Sequence, residues 1–238
     1  MMTTSTNGID ALSTGLMDQD RAPVGECAIV ILGASGDLAR RKLIPALQKI
    51  FGQGHITTSC AIIGSGRTPF TDSAFRDWVG ATGEFANLLS YHQHIHGLRD
   101  FVRQKGVFRR VIFFLSLPPT VYAETAEQLI EEGFGNESRI IIEKPFGSDY
   151  LSSKTLNDQL AACFDEQRIF RIDHYLAKEA VQNILVFRFA NSLFYPIWNS
   201  RYIESIHINA LETLGVEGRG AYFDGSGIIR DMVQNHLM

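Results

Sequence analysis

The 238 residues include 22 basic and 26 acidic side chains, a net charge of −4, with 45% apolar and 20% charged content. That balance fits a globular protein with a sizeable core and argues against nucleic-acid or membrane-surface binding. The length suits one large domain, or one domain of about 150 residues with part of another.

Residues 1–25 are polar and carry Asp10, Asp18 and Asp20. They have neither the apolar centre of a signal peptide nor an Arg-rich amphipathic pattern, so a disordered tail is expected. No apolar run approaches the roughly 18 residues of a membrane span. Cys27, Cys60 and Cys163 form no CxxC pair. They read as buried, reduced thiols, which fits a cytoplasmic location.

From Cys27 onward, short β-rich runs alternate with helical patterns. CAIVILG (27–33), SCAIIGS (59–65), RVIFFLSL (110–117) and RIIIEK (139–144) each precede a segment of helical spacing, and RIFRID (168–173) adds a further short strand. Near-continuous apolar strands covered on both faces by helices predict an α/β fold, a doubly wound parallel sheet over residues 26–172. The third strand has no clear signature between Arg67 and Val111. After residue 173 the pattern changes to a helix near 176–190, an alternating run YIESIHINAL (202–211) and a helix in IIRDMVQNHL (228–237). Residues 173–238 read as the incomplete beginning of an α+β domain. The chain ends inside a helical pattern and is expected to be truncated there.

In VILGASGDLARRK (30–42) a buried strand runs into a glycine turn, and Leu38, Leu43 and Leu47 continue at helical spacing. Such glycines let the backbone approach a pyrophosphate while N–H groups of the first helical turn point at it. The same turn also serves simply to join strand to helix. At the end of the second strand, IIGSGRT offers Arg67 and no carboxylate. A cation there suits the 2′-phosphate of NADP, whereas NAD sites place Asp or Glu at that point. The loops after the fourth and fifth strands lie at the carboxyl edge, where ligands of such sheets bind. In LSLPPTVY, Tyr122 is positioned to stack on or bond to a cofactor. In IIIEKPFG, Lys144 precedes Pro145, whose constraint on its predecessor aims the ammonium into the cleft.

SYHQHIHGL places His92, His94 and His96 at alternate positions. On one strand they would share a face and could hold a metal. With no carboxylate or cysteine beside them, a solvated strand or loop and no metal are expected.

RIDHYLAKE gathers Asp173, His174, Tyr175 and Lys178 at the change of domain, and Asp231 and His236 follow on one helix. Together with GASGDLARRK, LPPTVY, EKPFG, RFANSLFYPIWN, EGRGAYFD and IIRDMVQNHL, this segment resembles the glucose-6-phosphate dehydrogenase family, from about residue 27 to the end and in the family's order. The resemblance implies a Rossmann-like NADP-binding domain. It also implies oxidation of glucose 6-phosphate to 6-phosphoglucono-1,5-lactone in the pentose phosphate pathway. Gly33, Ala34, Ser35, Gly36, Asp37, Leu38 and Ala39 would hold the pyrophosphate with Arg40 close by, Arg67 would meet the 2′-phosphate, and Tyr122 would face the cofactor. Lys144 would contact both cofactor and sugar, and Lys42 would turn toward the sugar, with Arg41 facing solvent. His174, Tyr175 and Lys178 would take the 6-phosphate, Glu212 and Asp231 the sugar hydroxyls. His236 would be the general base with Asp173 as its carboxylate partner.

The chain departs from the family's pattern in three places. Ala177 stands where the family usually has Gly, the segment between Arg67 and Val111 is short, and the large antiparallel sheet that completes the sugar pocket and the homo-oligomer interface does not follow QNHL. A non-catalytic NADP-binding fragment is therefore the rival expectation. Another Rossmann sugar oxidoreductase is a further one, but it would not need the HYLAKE cluster.

Overall fold

A computed structural model describes residues 25–209 apart from positions 136, 148 and 174, together with 211, 220, 224 and 227–237. The expected tail, His174 and Glu212 lie outside the described residues. For Asp231 and His236 the described part is the backbone. The chain divides into two compact units between Ile172 and Asp173.

In the first unit, β1 (Cys27–Leu32), β2 (Ala61–Gly66), β3 (Leu89–Gln93), β4 (Arg110–Leu115), β5 (Ser138–Glu143) and β6 (Ile169–Ile172) form one sheet in the order β3-β2-β1-β4-β5-β6. Every neighbouring pair is parallel. The chain builds outward from β1 to β3 and then returns to β4. The order thus reverses between β1 and β4, the place where open α/β sheets bind ligands beyond their carboxyl ends.

The apolar strands divide by residue parity, as the period of two requires. Ala28, Val30 and Leu32 pack on one face with Ile63, Phe113, Leu115 and Leu129. Ile31 packs on the other with Ile62, Phe75, Phe85 and Leu89. Each fully buried Leu, Ile or Phe stabilises the fold by about 1.5–3 kcal/mol, so both faces must be covered. The helices do this: α1 (Ile44–Gly52), α2 (Asp72–Val79), α3 (Gly83–Leu88), α4 (Leu98–Lys105), α5 (Tyr122–Glu131) and α6 (Tyr150–Cys163). At α2, Thr71 accepts from the Ala74 amide at the N-terminus and Gly80 ends the helix in the left-handed region (φ 69°). At α6, Asp149 and Ser152 form a reciprocal capping box.

The third strand, unmarked in sequence, is LSYHQ. It begins directly at the end of α3 with no Gly, Pro or Asn between them, which removes the usual punctuation. The histidines do not share one strand face. β3 ends at Gln93, His94 has φ 67°, and His96 is highly exposed with Nδ1 3.1 Å from Glu132. The described residues contain no group of three or more His, Cys, Asp or Glu suited to a metal.

Cys27 and Cys60, distant in sequence, lie side by side with sulfurs 3.3 Å apart, both buried and free of disulfides. Burial and the neighbouring Cys60 thiol push the Cys27 thiol up to about 12.

The second unit contains α7 (Glu179–Phe189) and a terminal π-helical segment, Ile229–Leu237. The alternating run expected as a strand forms no ladder over 203–209 and is largely exposed. Alternation alone does not hold a strand, which needs a hydrogen-bonded neighbour. No described helix is long and apolar enough to cross a membrane.

Candidate functional site

The glycine turn follows β1 at the point where the strand order reverses. Gly33 has φ 83°, and a β-carbon there would lie 2.2 Å from the Ser116 carbonyl oxygen. Only glycine lets the turn settle this closely between the ends of β2 and β4. The Gly33 and Ala34 amides both donate to Ser65 O, at 2.8 and 2.9 Å, and Gly36 N donates to Gly33 O at 2.9 Å. Three of the turn's own amides thus hold the turn itself. The Ser35 amide has no acceptor among the described residues.

The helix that follows is wider than the leucine spacing implied. Ala39–Leu43 form a π-helical turn in which Ile44 N–H donates to Ala39 O, and α1 begins beyond it. Pro45 has no N–H to offer the Arg41 carbonyl, so a regular α ladder cannot run through this point. Arg40, Arg41 and Lys42 are all exposed. Arg41 faces solvent and pairs with Asp37 at 2.7 Å. Arg40 lies over the Trp78 ring, 5.3 Å from its centroid. Asp37, expected at the cofactor, thus has an ion-pair partner one helical turn away.

Arg67 is exposed at the carboxyl end of β2, and no carboxylate pairs with its guanidinium among the described residues. Its backbone is fixed from β3. Gln93 Nε2 donates to Arg67 O at 3.0 Å, His94 N to Gly66 O at 3.1 Å, and Ser65 Oγ to His94 O at 2.8 Å. The adjacent Gly66 is another close approach, because a β-carbon there would lie 3.0 Å from both Ser35 Oγ and Tyr91 Oη. Tyr91 is buried and its hydroxyl has no hydrogen-bond partner among the described residues. Burial raises the Tyr91 phenol above its ordinary pKa, and the nearby Ser35 side chain draws it partly back.

Beyond β4, Pro119–Val121 make one 3₁₀ turn that delivers Tyr122 to the start of α5. The sequence suggested that Tyr122 stacks on or bonds to a cofactor. Its ring is only 2% exposed, which leaves no face for stacking. Its hydroxyl instead donates to Glu143 O at 3.4 Å, and burial raises its pKa. Tyr122 therefore supports the backbone next to Lys144, which is half-buried in the loop after β5 and joined to Pro145 by a cis peptide.

In the second unit the RIDHYLAKE turn is built around Asp173. Its Oδ1 accepts from the amides of Tyr175 (3.0 Å) and Leu176 (3.4 Å), and its carbonyl accepts from Ala177 N at 3.2 Å. Lys178 Nζ sits 4.0 Å from the Tyr175 ring centroid. The structure thus brings Asp173, Tyr175 and Lys178 into one tight turn. Ala177 is exposed and is not among the positive-φ residues, so a side chain is tolerated where the family usually has Gly. Asp231 and His236 occupy the π-helical segment Ile229–Leu237.

Sequence reasoning missed Tyr91, Gln93 and Ser65. The available signal was the glycine pair Gly64 and Gly66 within one strand, a sign of close packing across it. A β-carbon on Gly64 would lie 2.5 Å from the Phe75 ring.

Comparison with known proteins bears on this geometry. The family model described as "Glucose-6-phosphate dehydrogenase, NAD binding domain" matches residues 30–183, and the "C-terminal domain" model of the same family matches residues 185–238. A glucose-6-phosphate 1-dehydrogenase of Aggregatibacter actinomycetemcomitans is 40% identical over 242 residues, covering 89% of this chain and 48% of that protein. The cytoplasmic isoform of Solanum tuberosum is 39% identical over 254 residues, covering 93% of this chain and 50% of that one. A solved glucose-6-phosphate dehydrogenase in complex with its substrate glucose-6-phosphate superposes with a TM-score of 0.79 at 34% identity, covering 92% of this chain and 51% of that chain. The chain therefore spans about half the length of the relatives it matches.

Proposed function

The chain belongs to the glucose-6-phosphate dehydrogenase family, and on that premise we propose that it binds NADP on its first unit and serves the oxidation of glucose 6-phosphate to 6-phosphoglucono-1,5-lactone in the pentose phosphate pathway. The observation that carries the NADP reading is the carboxyl edge of β1 and β2. There a glycine turn too tight for a β-carbon adjoins the end of β2, which carries an exposed arginine, Arg67, and no acidic residue. The family model's description supports a nicotinamide dinucleotide in general. The choice of the phosphorylated form rests on Arg67.

The residues present fit such a ligand. Gly33 and Gly66 let the turn pack against the ends of β2 and β4, the Ser35 amide has no acceptor among the described residues, and the buried Tyr91 hydroxyl has no partner among them. In this reading Gly33, Ala34, Ser35, Gly36, Leu38 and Ala39 cradle the pyrophosphate. Arg67 holds the 2′-phosphate by charge-assisted hydrogen bonds, each contributing about 1.5–3 kcal/mol. Asp37 acts indirectly through Arg41, Arg40 flanks the adenine side, and Lys42 and Lys144 line the sugar side. Tyr122 keeps the Lys144 backbone in place. NADP, when bound, supplies the nicotinamide carbon that accepts hydride.

His174, Tyr175 and Lys178 hold the substrate's 6-phosphate, and Glu212 and Asp231 bind sugar hydroxyls. His236 removes the 1-hydroxyl proton. Neutral imidazole suits that task near pH 7. Asp173 stabilises the imidazolium that results, and its Oδ1 also fixes the phosphate-binding turn. A protein of this kind works in the cytoplasm, as the name of the Solanum tuberosum isoform states for that relative.

The test is calorimetric titration of the 238-residue chain with NADP and with NAD. Tighter binding of NADP is expected. Equal affinity for the two overturns the role given to Arg67, and no binding of either overturns the dinucleotide site.

A further inference from the structure

Tyr91 is 5% exposed, and its hydroxyl has no hydrogen-bond partner among the described residues. Buried hydroxyls are nearly always paired, so this one calls for a physical reason. The side chain cannot turn away to find a partner. Its backbone N–H donates to Asp72 Oδ1 at 2.7 Å, and its ring packs against Phe75 at 5.0 Å and edge-on to Phe70 at 5.4 Å. Asp72 is itself at the start of α2, whose Arg76 donates twice to Leu89 O, at 2.9 and 2.7 Å. Helix and strand together therefore fix where the phenol points.

It points at the junction of the glycine turn and β2. The Tyr91 and Ser35 oxygens both lie 3.0 Å from the position a β-carbon of Gly66 would take. Arg67 is the next residue, its carbonyl held by Gln93. Two hydroxyls thus converge at Gly66, one of them in the turn assigned above to the cofactor, and the cation assigned to its 2′-phosphate is the next residue in the chain.

We propose that Tyr91 is a positioning residue for the NADP 2′-phosphate, its hydroxyl donating to Ser35 Oγ while the Ser35 hydroxyl donates to the phosphate that Arg67 holds. The inference rests on the NADP reading above and extends it to a buried residue. The Ser35 hydroxyl has one proton and two lone pairs. Once that proton is committed to an anion, the oxygen becomes a better acceptor, and a buried donor beside it completes the chain. A neutral 2′-hydroxyl, as in NAD, exerts no comparable pull. The contribution of Tyr91 therefore appears in the difference between the two dinucleotides.

The experiment is a double-mutant cycle by calorimetric titration of the full chain: wild type, Tyr91→Phe, Ser35→Ala and the double variant, each with NADP and with NAD. Phe keeps the ring that packs on Phe70 and Phe75, and a thermal melt of each variant checks the fold. Tyr91→Phe is expected to weaken NADP about 5–10-fold, the scale of one hydrogen bond, and NAD less than about 2-fold. In the Ser35→Ala background it should add almost nothing. Unchanged NADP affinity, equal loss for both dinucleotides, or a full additional loss without Ser35 overturns the inference. A wild-type chain that fails to prefer NADP overturns the underlying reading and this inference with it. A preference that survives intact in Tyr91→Phe overturns this inference alone.

Discussion

The backbone of Gly33 packs so closely on Ser116 that a β-carbon on Gly33 would sit 2.2 Å from the Ser116 carbonyl oxygen. That single approach joins the end of β1 to the end of β4, the two strands between which the sheet reverses its order. Ser116 N returns the contact by donating to Leu32 O at 2.9 Å.

Gly33→Ala is therefore expected to damage both stability and binding. The obstacle is backbone, which cannot move aside as a flexible side chain would, and φ 83° strains any L-residue. A loss on the order of 2–4 kcal/mol should appear as a fall in Tm of roughly 5–15 °C. Gly52→Ala, which meets nothing within 4 Å, is the control and should stay close to wild type.

Arg67→Ala should separate the two dinucleotides. Losing one charge-assisted hydrogen bond should weaken NADP by about 10–150-fold, with NAD changed less than about 3-fold. Titration of both cofactors on one preparation checks this, and equal losses would refute the role given to Arg67.

How far the sheet was legible follows from its strands. CAIVILG, RVIFFLSL and RIIIEK carry runs of three or more successive apolar residues, so they stand out in the sequence. LSYHQ is an edge strand that runs straight out of α3 and mixes Ser, Tyr, His and Gln, and it gives almost no periodic signal. Tyr91, Gln93 and the clamp on Arg67 were hidden with it. Tyr122 was legible only in part, for another reason. The residues LPPTVY disclose a turn at the ligand edge, but not that the ring turns inward to reach Glu143. The helix after GASGDLA was legible as a helix, while its π turn depends on a carbonyl left without a donor by Pro45.

The alkaline limb of stability should depend on Cys27. Its thiol is held protonated in the fold up to about 12, while in the unfolded chain it ionises above about pH 8.5. Below pH 8.5 both states are protonated and the group contributes nothing to the pH dependence. Above it the unfolded state binds fewer protons than the folded one, so stability falls as pH rises. Urea midpoints at rising pH should decline less steeply in Cys27→Ala than in wild type, by up to about one proton. Parallel declines would contradict this.

If His236 is the general base, as proposed, His236→Asn should lower turnover by about 10²–10⁴-fold, with glucose 6-phosphate binding largely retained. Lys178→Ala should do the reverse, weakening substrate binding through the turn that Asp173 and Tyr175 shape. Steady-state kinetics together with substrate titration distinguish the two, and a His236→Asn variant with unaltered turnover would exclude His236 as the base.

The most direct measurement is absorbance at 340 nm from the 238-residue chain mixed with NADP and glucose 6-phosphate, with NADP binding measured on the same sample. A rise that requires both reactants and is lost in His236→Asn is the expected result. A flat trace from a sample that binds NADP would contradict the oxidoreductase reading and leave a dinucleotide-binding chain.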